Sequence, residues 1–334
     1  MASALQRELL VVTGKGGVGK STLASALGLL ASERGRHTIV VEVGEQARLP
    51  ALFGAAAPAP GVETVLQEGL SSLTIDPDRA LMEWLQALGG RVSGRVLASS
   101  STFQYFAAAA PGARELISMV KIWELTQGRR WRGHGRGYDL VVLDAPATGH
   151  ALGMLGSPGT FGRIARVGPI ASQAERVRAL LEDPARSSYF AVAQGTEMAI
   201  TETLELQDKL REQLGRELEA VLVNGVLPQR FNATELRRLP ALEDRADADG
   251  SGPTANGGRA GGDSATGGGD STAAVRRSAL LAARSVSERA RFQRNQLARL
   301  RRRSFPVIAV PFQFSAELDL ASVRRISAHL RRTF

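Results

Sequence analysis

The stretch Leu9-Leu10-Val11-Val12-Thr13-Gly14-Lys15-Gly16-Gly17-Val18-Gly19-Lys20-Ser21-Thr22 sets four apolar residues before a glycine-rich loop, and an Ala/Leu-rich segment follows. The apolar run reads as a strand and the later segment as a helix, which is the context that the pattern G-x-x-x-x-G-K-S requires. Glycines let the backbone wrap around phosphate oxygens and turn successive N–H groups inward. The helix opening at Lys20 adds the positive end of its dipole. Gly14, Lys15, Gly16, Gly17, Val18, Gly19, Lys20, Ser21 and Thr22 are therefore candidates to cradle a nucleoside triphosphate. Lys20 would reach the β- and γ-phosphates, and the Ser21 hydroxyl would ligate Mg2+.

Composition sharpens two of these positions. The chain holds four lysines, Lys15, Lys20, Lys121 and Lys209, among cations that are otherwise arginine. A compact ammonium differs from a planar guanidinium in shape and hydration, so two lysines in one loop mark a demand for that cation.

At 334 residues and 43% hydrophobic content the chain can bury a large core. No uninterrupted apolar stretch approaches the ~20 residues of a membrane span, and the N-terminus lacks a signal-peptide pattern, so the expected compartment is the cytoplasm. There is no cysteine, which excludes disulfides, thiolate zinc sites and cysteine-ligated iron-sulfur clusters. The net charge of +9 raises the question of nucleic acid. Between Val275 and Arg303 ten arginines face one acid, Glu288, yet only Phe292 could stack on a base. Single-strand binders interleave aromatics with their cations, so this pattern reads as a solvated arginine face and argues against a nucleic-acid partner.

Apolar runs that read as strands recur at residues 9–13, 37–43, 139–144, 189–193, 219–224 and 306–310, with helical stretches between them. That alternation predicts an α/β fold of the P-loop NTPase kind. Its mostly parallel sheet would be covered by helices on both faces, with ligands at the carboxyl ends of strands. A single domain spans residues 1–334, and the helical patterns of residues 76–130 predict an inserted helical subdomain. Residues 245–272 hold too little apolar surface to offset their ordering entropy and read as a disordered loop.

The strand ending at Leu143 leads into Asp144-Ala145-Pro146-Ala147-Thr148-Gly149-His150. Beside a P-loop, an acid at such a strand tip is placed to hold Mg2+ directly or through water, which makes Asp144 a metal candidate with Ser21. His150, a lone histidine after a turn, reads as a structural hydrogen-bonder.

Together the two motifs resemble the ArsA family of ATPases, which includes the arsenite-pump ATPase and the eukaryotic ATPase that targets tail-anchored membrane proteins. The family's loop has the form G-K-G-G-V-G-K-S/T-T. Its switch II reads D-T-A-P-T-G-H, which the segment from Asp144 to His150 matches with three substitutions. Residues 189–193 with Glu197, Glu202 and Thr203 are similar to the family's next strand and helix. Val223-Asn224 is similar to its adenine-contacting pair, and Val310-Pro311-Phe312 to the segment that closes over the base. The resemblance implies an ATPase that uses ATP and Mg2+ and works as a homodimer, with base contacts from Asn224, Pro311 and Phe312. In that arrangement Lys15 reaches across to the partner's phosphates, and hydrolysis relaxes switch loops that open and close a client surface.

Departures from the family bear on turnover and client. Its switch I presents a water-orienting Asp in D-P-A-H, and here Gly44 aligns with that Asp. Either Glu42 or Glu45 takes the catalytic role or both face solvent, and the expectation is slow but real hydrolysis. The tail-anchor branch has a Cys-x-x-Cys zinc clasp, which this chain cannot form. Its five methionines, at positions 1, 82, 119, 154 and 198, are too dispersed for a methionine-rich groove. Phe103, Phe106, Ile117, Met119, Ile122 and Trp123 read as core in preference to a client groove, and the client itself has no signature. Two other classes stay open. A positioning ATPase of the ParA or MinD type would bind DNA or a membrane surface, the latter through Leu320, Val323, Ile326, Leu330 and Phe334 with their flanking arginines, unless that stripe packs on the sheet. A nucleotide-sensing scaffold would show negligible turnover.

Overall fold

The computed structural model describes residues 3–44, 47–99, 112–131, 135–165, 167–232, 234–238 and 268–334, without the side chains of 89–99 and 268–273. Strand β1 (Leu9–Gly14) is apolar at almost every position because both faces of its sheet are covered. Leu9 and Val11 join one buried cluster, and Leu10 and Val12 join another. The period of two that sends neighbouring side chains to opposite faces divides the other inner strands alike. Those are β2 (Thr38–Val43), β5 (Leu140–Ala147), β6 (Ser187–Gln194) and β7 (Ala220–Val226), with β3 (Thr64–Gln67), β4 (Leu70–Ile75) and β8 (Val307–Pro311) completing the sheet. The order is β3-β4-β2-β5-β1-β6-β7-β8; every neighbouring pair is parallel except β3 with β4. This is the α/β architecture expected from the sequence, with the β3–β4 hairpin added. That hairpin has no apolar run to announce it, because β4 buries Ser71, Ser72 and Thr74 beside Leu70 and Leu73.

Helix α1 (Lys20–Ser32) is buried from Thr22 to Ala31, which explains its small and aliphatic composition. The short α2 (Leu49–Leu52) follows β2, and α3 (Pro77–Ser99) and α4 (Ala113–Leu125) follow the hairpin. Next come α5 (Thr148–Ala165), α6 (Pro169–Glu182) and α7 (Glu197–Leu214). Helices α8 (Gly268–Leu300) and α9 (Leu320–Leu330) flank the last strand. Apolar residues of α4 to α7 fill the cluster on one face of the sheet, while α1 and α9 fill the other.

Three segments sharpen the sequence reading. Within the stretch expected to form an inserted subdomain, α4 buries Met119, Ile122 and Trp123 in the main core and Ile117 beside it, each no more than 9% exposed. Phe103 and Phe106 lie outside the described residues. The loop read as disordered also lies outside them as far as residue 267, but α8 already begins at Gly268, so the helix takes up the last part of that stretch. In α9, Val323, Ile326 and Leu330 of the expected stripe are buried against α1 and Phe334 stacks on Phe190 at 5.5 Å, while Leu320 is half-buried outside that cluster, so most of the apolar face of this basic helix is taken up by the core. Among the described residues no helix is long and apolar enough to cross a membrane.

A buried ionic network ties the hairpin edge to the helices. Arg130 bridges Glu124 (3.1 Å) and Glu63 (2.6 Å), and Lys121 bridges Glu83 (2.8 Å) and Glu124 (3.0 Å). Burial alone would raise the Glu83 carboxyl, but the hydrogen bonds and charges of Lys121 and Arg79 together outweigh it and hold it below its ordinary range.

Candidate active site

The carboxyl ends of β1, β2 and β5 open on one cavity of about 490 Å³, which Gly16, Gly17, Lys20, Ser21, Glu42 and Asp144 help to line. Two glycines set the loop that forms its floor. Gly14 lies so close to β6 that a Cβ there would strike the Val192 carbonyl, and Gly19 takes a φ of +93° directly before the first residue of α1. Gly16 and Gly17 have open space where a side chain would stand, and both line the cavity.

Lys20 donates to the Lys15 carbonyl at 3.1 Å, curling over the loop. Burial pushes its ammonium below the ordinary value, opposed by the negative charge of Asp144. The Ser21 hydroxyl donates to Asp144 Oδ2 at 2.5 Å, so the two metal candidates meet side by side. Asp144 Oδ1 is buried without a hydrogen-bond partner among the described residues. Burial raises the Asp144 carboxyl to about 6, against the pull of the Ser21 hydrogen bond and the charges of Lys20 and Arg48. A half-satisfied carboxylate beside a hydroxyl, under a glycine-rich loop, fits a divalent cation that also takes phosphate oxygens. No cluster of three acids or histidines among the described residues could hold the ion alone, and Mg2+ does not require one.

Glu42 stands in register with Asp144 across the β2–β5 pairing and is buried. Its carboxylate accepts from the backbone N–H groups of Arg48 (3.1 Å) and Leu49 (3.1 Å) and from Thr74 Oγ1 (3.4 Å). Burial raises its pKa, the two backbone hydrogen bonds lower it, and nearby Asp144 raises it further. Glu42 thus clamps the segment after the switch instead of turning to solvent. Glu45 lies outside the described residues.

Lys15 does not line this cavity. Its Nζ lies 2.7 Å from Glu202 Oε1 and 2.6 Å from Met198 Sδ, both on α7. His150 is exposed on the first turn of α5.

A second cavity, of about 830 Å³, adjoins the loop and is lined in part by Thr22, Asn224, Phe312, Arg289, Phe292 and Gln293. Asn224 donates to the Val18 carbonyl at 2.9 Å, which joins this cavity to the phosphate loop. Pro311 ends β8, and the Phe312 N–H donates to Val226 at 3.0 Å, placing the Phe312 ring edge-on to Phe314 at the rim. The structure therefore places Gly16, Gly17, Lys20, Ser21 and Asp144 on one cavity and Thr22, Asn224 and Phe312 on the adjoining one, and leaves Lys15, Pro311 and His150 off their linings. Sequence reasoning missed Arg48, Arg289 and Gln293. Gln293 donates to the Gly225 carbonyl (3.1 Å) and accepts from the Leu227 N–H (2.9 Å), so α8 fixes the turn after Asn224. No sequence signal marks a contact spanning so many residues.

A parallel sheet whose central strand runs into a glycine loop, with a strand-tip acid bonded to the loop serine, defines a P-loop nucleotide-binding protein. The particular kind is given by its relatives: the chain belongs to the ArsA family of ATPases. Residues 7–167 match the family described as anion-transporting ATPase. The chain is 31% identical over 249 residues to the ATPase BagA of Mycobacterium tuberculosis, covering 72% of this chain and 71% of that one. It is also 28% identical over 156 residues to the ATPase ASNA1 homolog 2 of Paramecium tetraurelia, covering 45% and 43%.

Proposed function

We propose that this chain is a cytoplasmic, Mg2+-dependent ATPase that works as a homodimeric switch and couples ATP turnover to binding or targeting of a client. The observation that carries the reading is the Ser21–Asp144 pair, at 2.5 Å, under the loop that Lys20 covers. In this reading Ser21 and Asp144 hold the cation, whose chemistry when bound is to neutralise phosphate charge. Lys20 and the loop N–H groups bind the β- and γ-phosphates, and Asn224, Pro311 and Phe312 enclose the base.

The homodimer reading draws support from Lys15, which lies outside its own phosphate cavity and is held on α7 by Glu202. A cation parked there is free to serve a partner's nucleotide once Glu202 releases it. Slow turnover draws support from Glu42, whose carboxylate is already engaged by Arg48, Leu49 and Thr74. Phosphate release measured against Mg2+ and protein concentration tests the proposal. Activity per subunit should rise with protein concentration, and Lys15→Arg should bind ATP yet lose that rise. Concentration-independent turnover that Lys15→Arg leaves intact would refute the trans-acting lysine, and no Mg2+-dependent release would refute the ATPase.

A further inference from the structure

We infer that Arg48 is a catalytic residue supplied from within the chain, an arginine that contacts the γ-phosphate and takes up charge as it is transferred. The inference rests on the ATPase reading above and adds a cation from the segment that lacks the switch I Asp.

Four observations meet at this side chain. Arg48 lines the phosphate cavity together with Lys20, Ser21 and Asp144. Its charge acts on Asp144, so the guanidinium lies within electrostatic reach of the metal candidate. Its backbone is fixed, because Glu42 accepts the Arg48 and Leu49 N–H groups at 3.1 Å from β2, the strand beside the one that carries Asp144. Its side chain is exposed at the cavity mouth and has no hydrogen-bond or ion-pair partner among the described residues, whereas Arg130, Arg178 and Arg186 are each engaged by carboxylates. An anchored backbone with an unengaged guanidinium is what a group needs if it is to meet a ligand without first breaking a salt bridge.

The chemistry calls for such a group. The water oxygen forms a bond to the γ-phosphorus. The bond from that phosphorus to the bridging oxygen breaks and leaves its electron pair on ADP, and ATP with water gives ADP, inorganic phosphate and a proton. Negative charge moves toward the bridging oxygen while the γ-oxygens stay charged, and a planar fork of N–H donors matches two of those oxygens. In the family pattern an acid at the Gly44 position orients the water. Here that acid is absent, and the cavity gains a cation from the same segment.

The test is Arg48→Ala and Arg48→Lys in the full chain, with turnover read beside affinity for ADP and for ADP with aluminium fluoride, a mimic of the phosphoryl group in flight. Arg48→Ala should lower kcat by about 100-fold or more and weaken the aluminium fluoride complex by a similar factor, with ADP affinity nearly unchanged. Arg48→Lys should recover part of both losses, since it returns the charge without the fork. Unchanged turnover in Arg48→Ala, or an equal loss of ADP and of the transition-state mimic, would overturn the inference and leave the ATPase reading standing. A parent chain that neither hydrolyses ATP nor holds ADP with aluminium fluoride would overturn both.

Discussion

Asp144→Asn should make the nucleotide-free protein more stable while costing it metal-linked affinity. Burial holds the Asp144 carboxyl at about 6, against 3.8 for an ordinary aspartate. Above that value the folded chain carries a carboxylate that the unfolded chain ionises more easily, a difference of about 3 kcal/mol at roughly 1.4 kcal/mol per pH unit. The Ser21 bond and the charges of Lys20 and Arg48 already oppose the rise, so this is a net cost. Between about pH 4 and 6 the folded state binds more protons than the unfolded one, so stability falls as pH rises through that window and stays reduced above it. Asparagine keeps an acceptor for the Ser21 hydroxyl and carries no charge, so it removes that slope. Denaturant unfolding without nucleotide should show the variant about 2–3 kcal/mol more stable near pH 8 and nearly equal to the parent near pH 4. With ATP and Mg2+ present the order should narrow or reverse, because only the carboxylate gains from the cation. A variant no more stable than the parent near pH 8, or a gain unchanged near pH 4, would refute the reasoning.

Further outcomes follow from the neighbouring contacts. Glu42→Gln places an amide donor near the Arg48 and Leu49 N–H groups, so it should lower kcat while leaving ATP affinity intact. Adding it to Arg48→Ala should cost little more, and additive losses in that double-mutant cycle would show that Glu42 acts independently of Arg48. Asn224→Ala should shrink the preference for ATP over GTP by about 10-fold or more, read by calorimetry with both nucleotides, and an unchanged preference would remove Asn224 from the base site. Gln293→Ala should weaken ATP binding through the loosened turn at Gly225 and Leu227 without altering the Mg2+ titration, and altered Mg2+ dependence would contradict the separation of the two cavities.

The parts of the site that sequence alone revealed are those whose chemistry admits few residue types. A phosphate loop needs glycines and one lysine in a fixed order, so Gly14 to Thr22 could be read directly, and Asp144 followed from the apolar strand that ends in it. The hairpin was hidden because β4 buries serines and a threonine, which an apolar pattern cannot flag. Glu42 was legible as a candidate acid, but its hydrogen bonds to the Arg48 and Leu49 N–H groups depend on a tight return of chain that no spacing rule encodes. With Gly44 at the switch I Asp position, the sequence points to Glu42 or Glu45 for a carboxylate; Glu42 is committed to the Arg48 and Leu49 N–H groups, and the exposed Arg48 lines the same cavity.

One side chain links the base cavity to the phosphate loop. Asn224 carries two N–H donors and one carbonyl acceptor, and one donor is spent on the Val18 carbonyl, in the loop itself. That bond fixes the plane of the amide and leaves the second N–H and the carbonyl oxygen as a pair. An adenine edge offers an amine donor and a ring-nitrogen acceptor and complements the pair; guanine offers two acceptors and meets the carbonyl oxygen with like charge. Gly19 keeps room for this amide, because a side chain there would strike it, so the same loop glycine that opens α1 also leaves Asn224 placed for its proposed role at the base. In the proposed reading, a loop rearrangement that moves Val18 would pull on the Asn224 amide through this bond, which would couple phosphate occupancy to base selection.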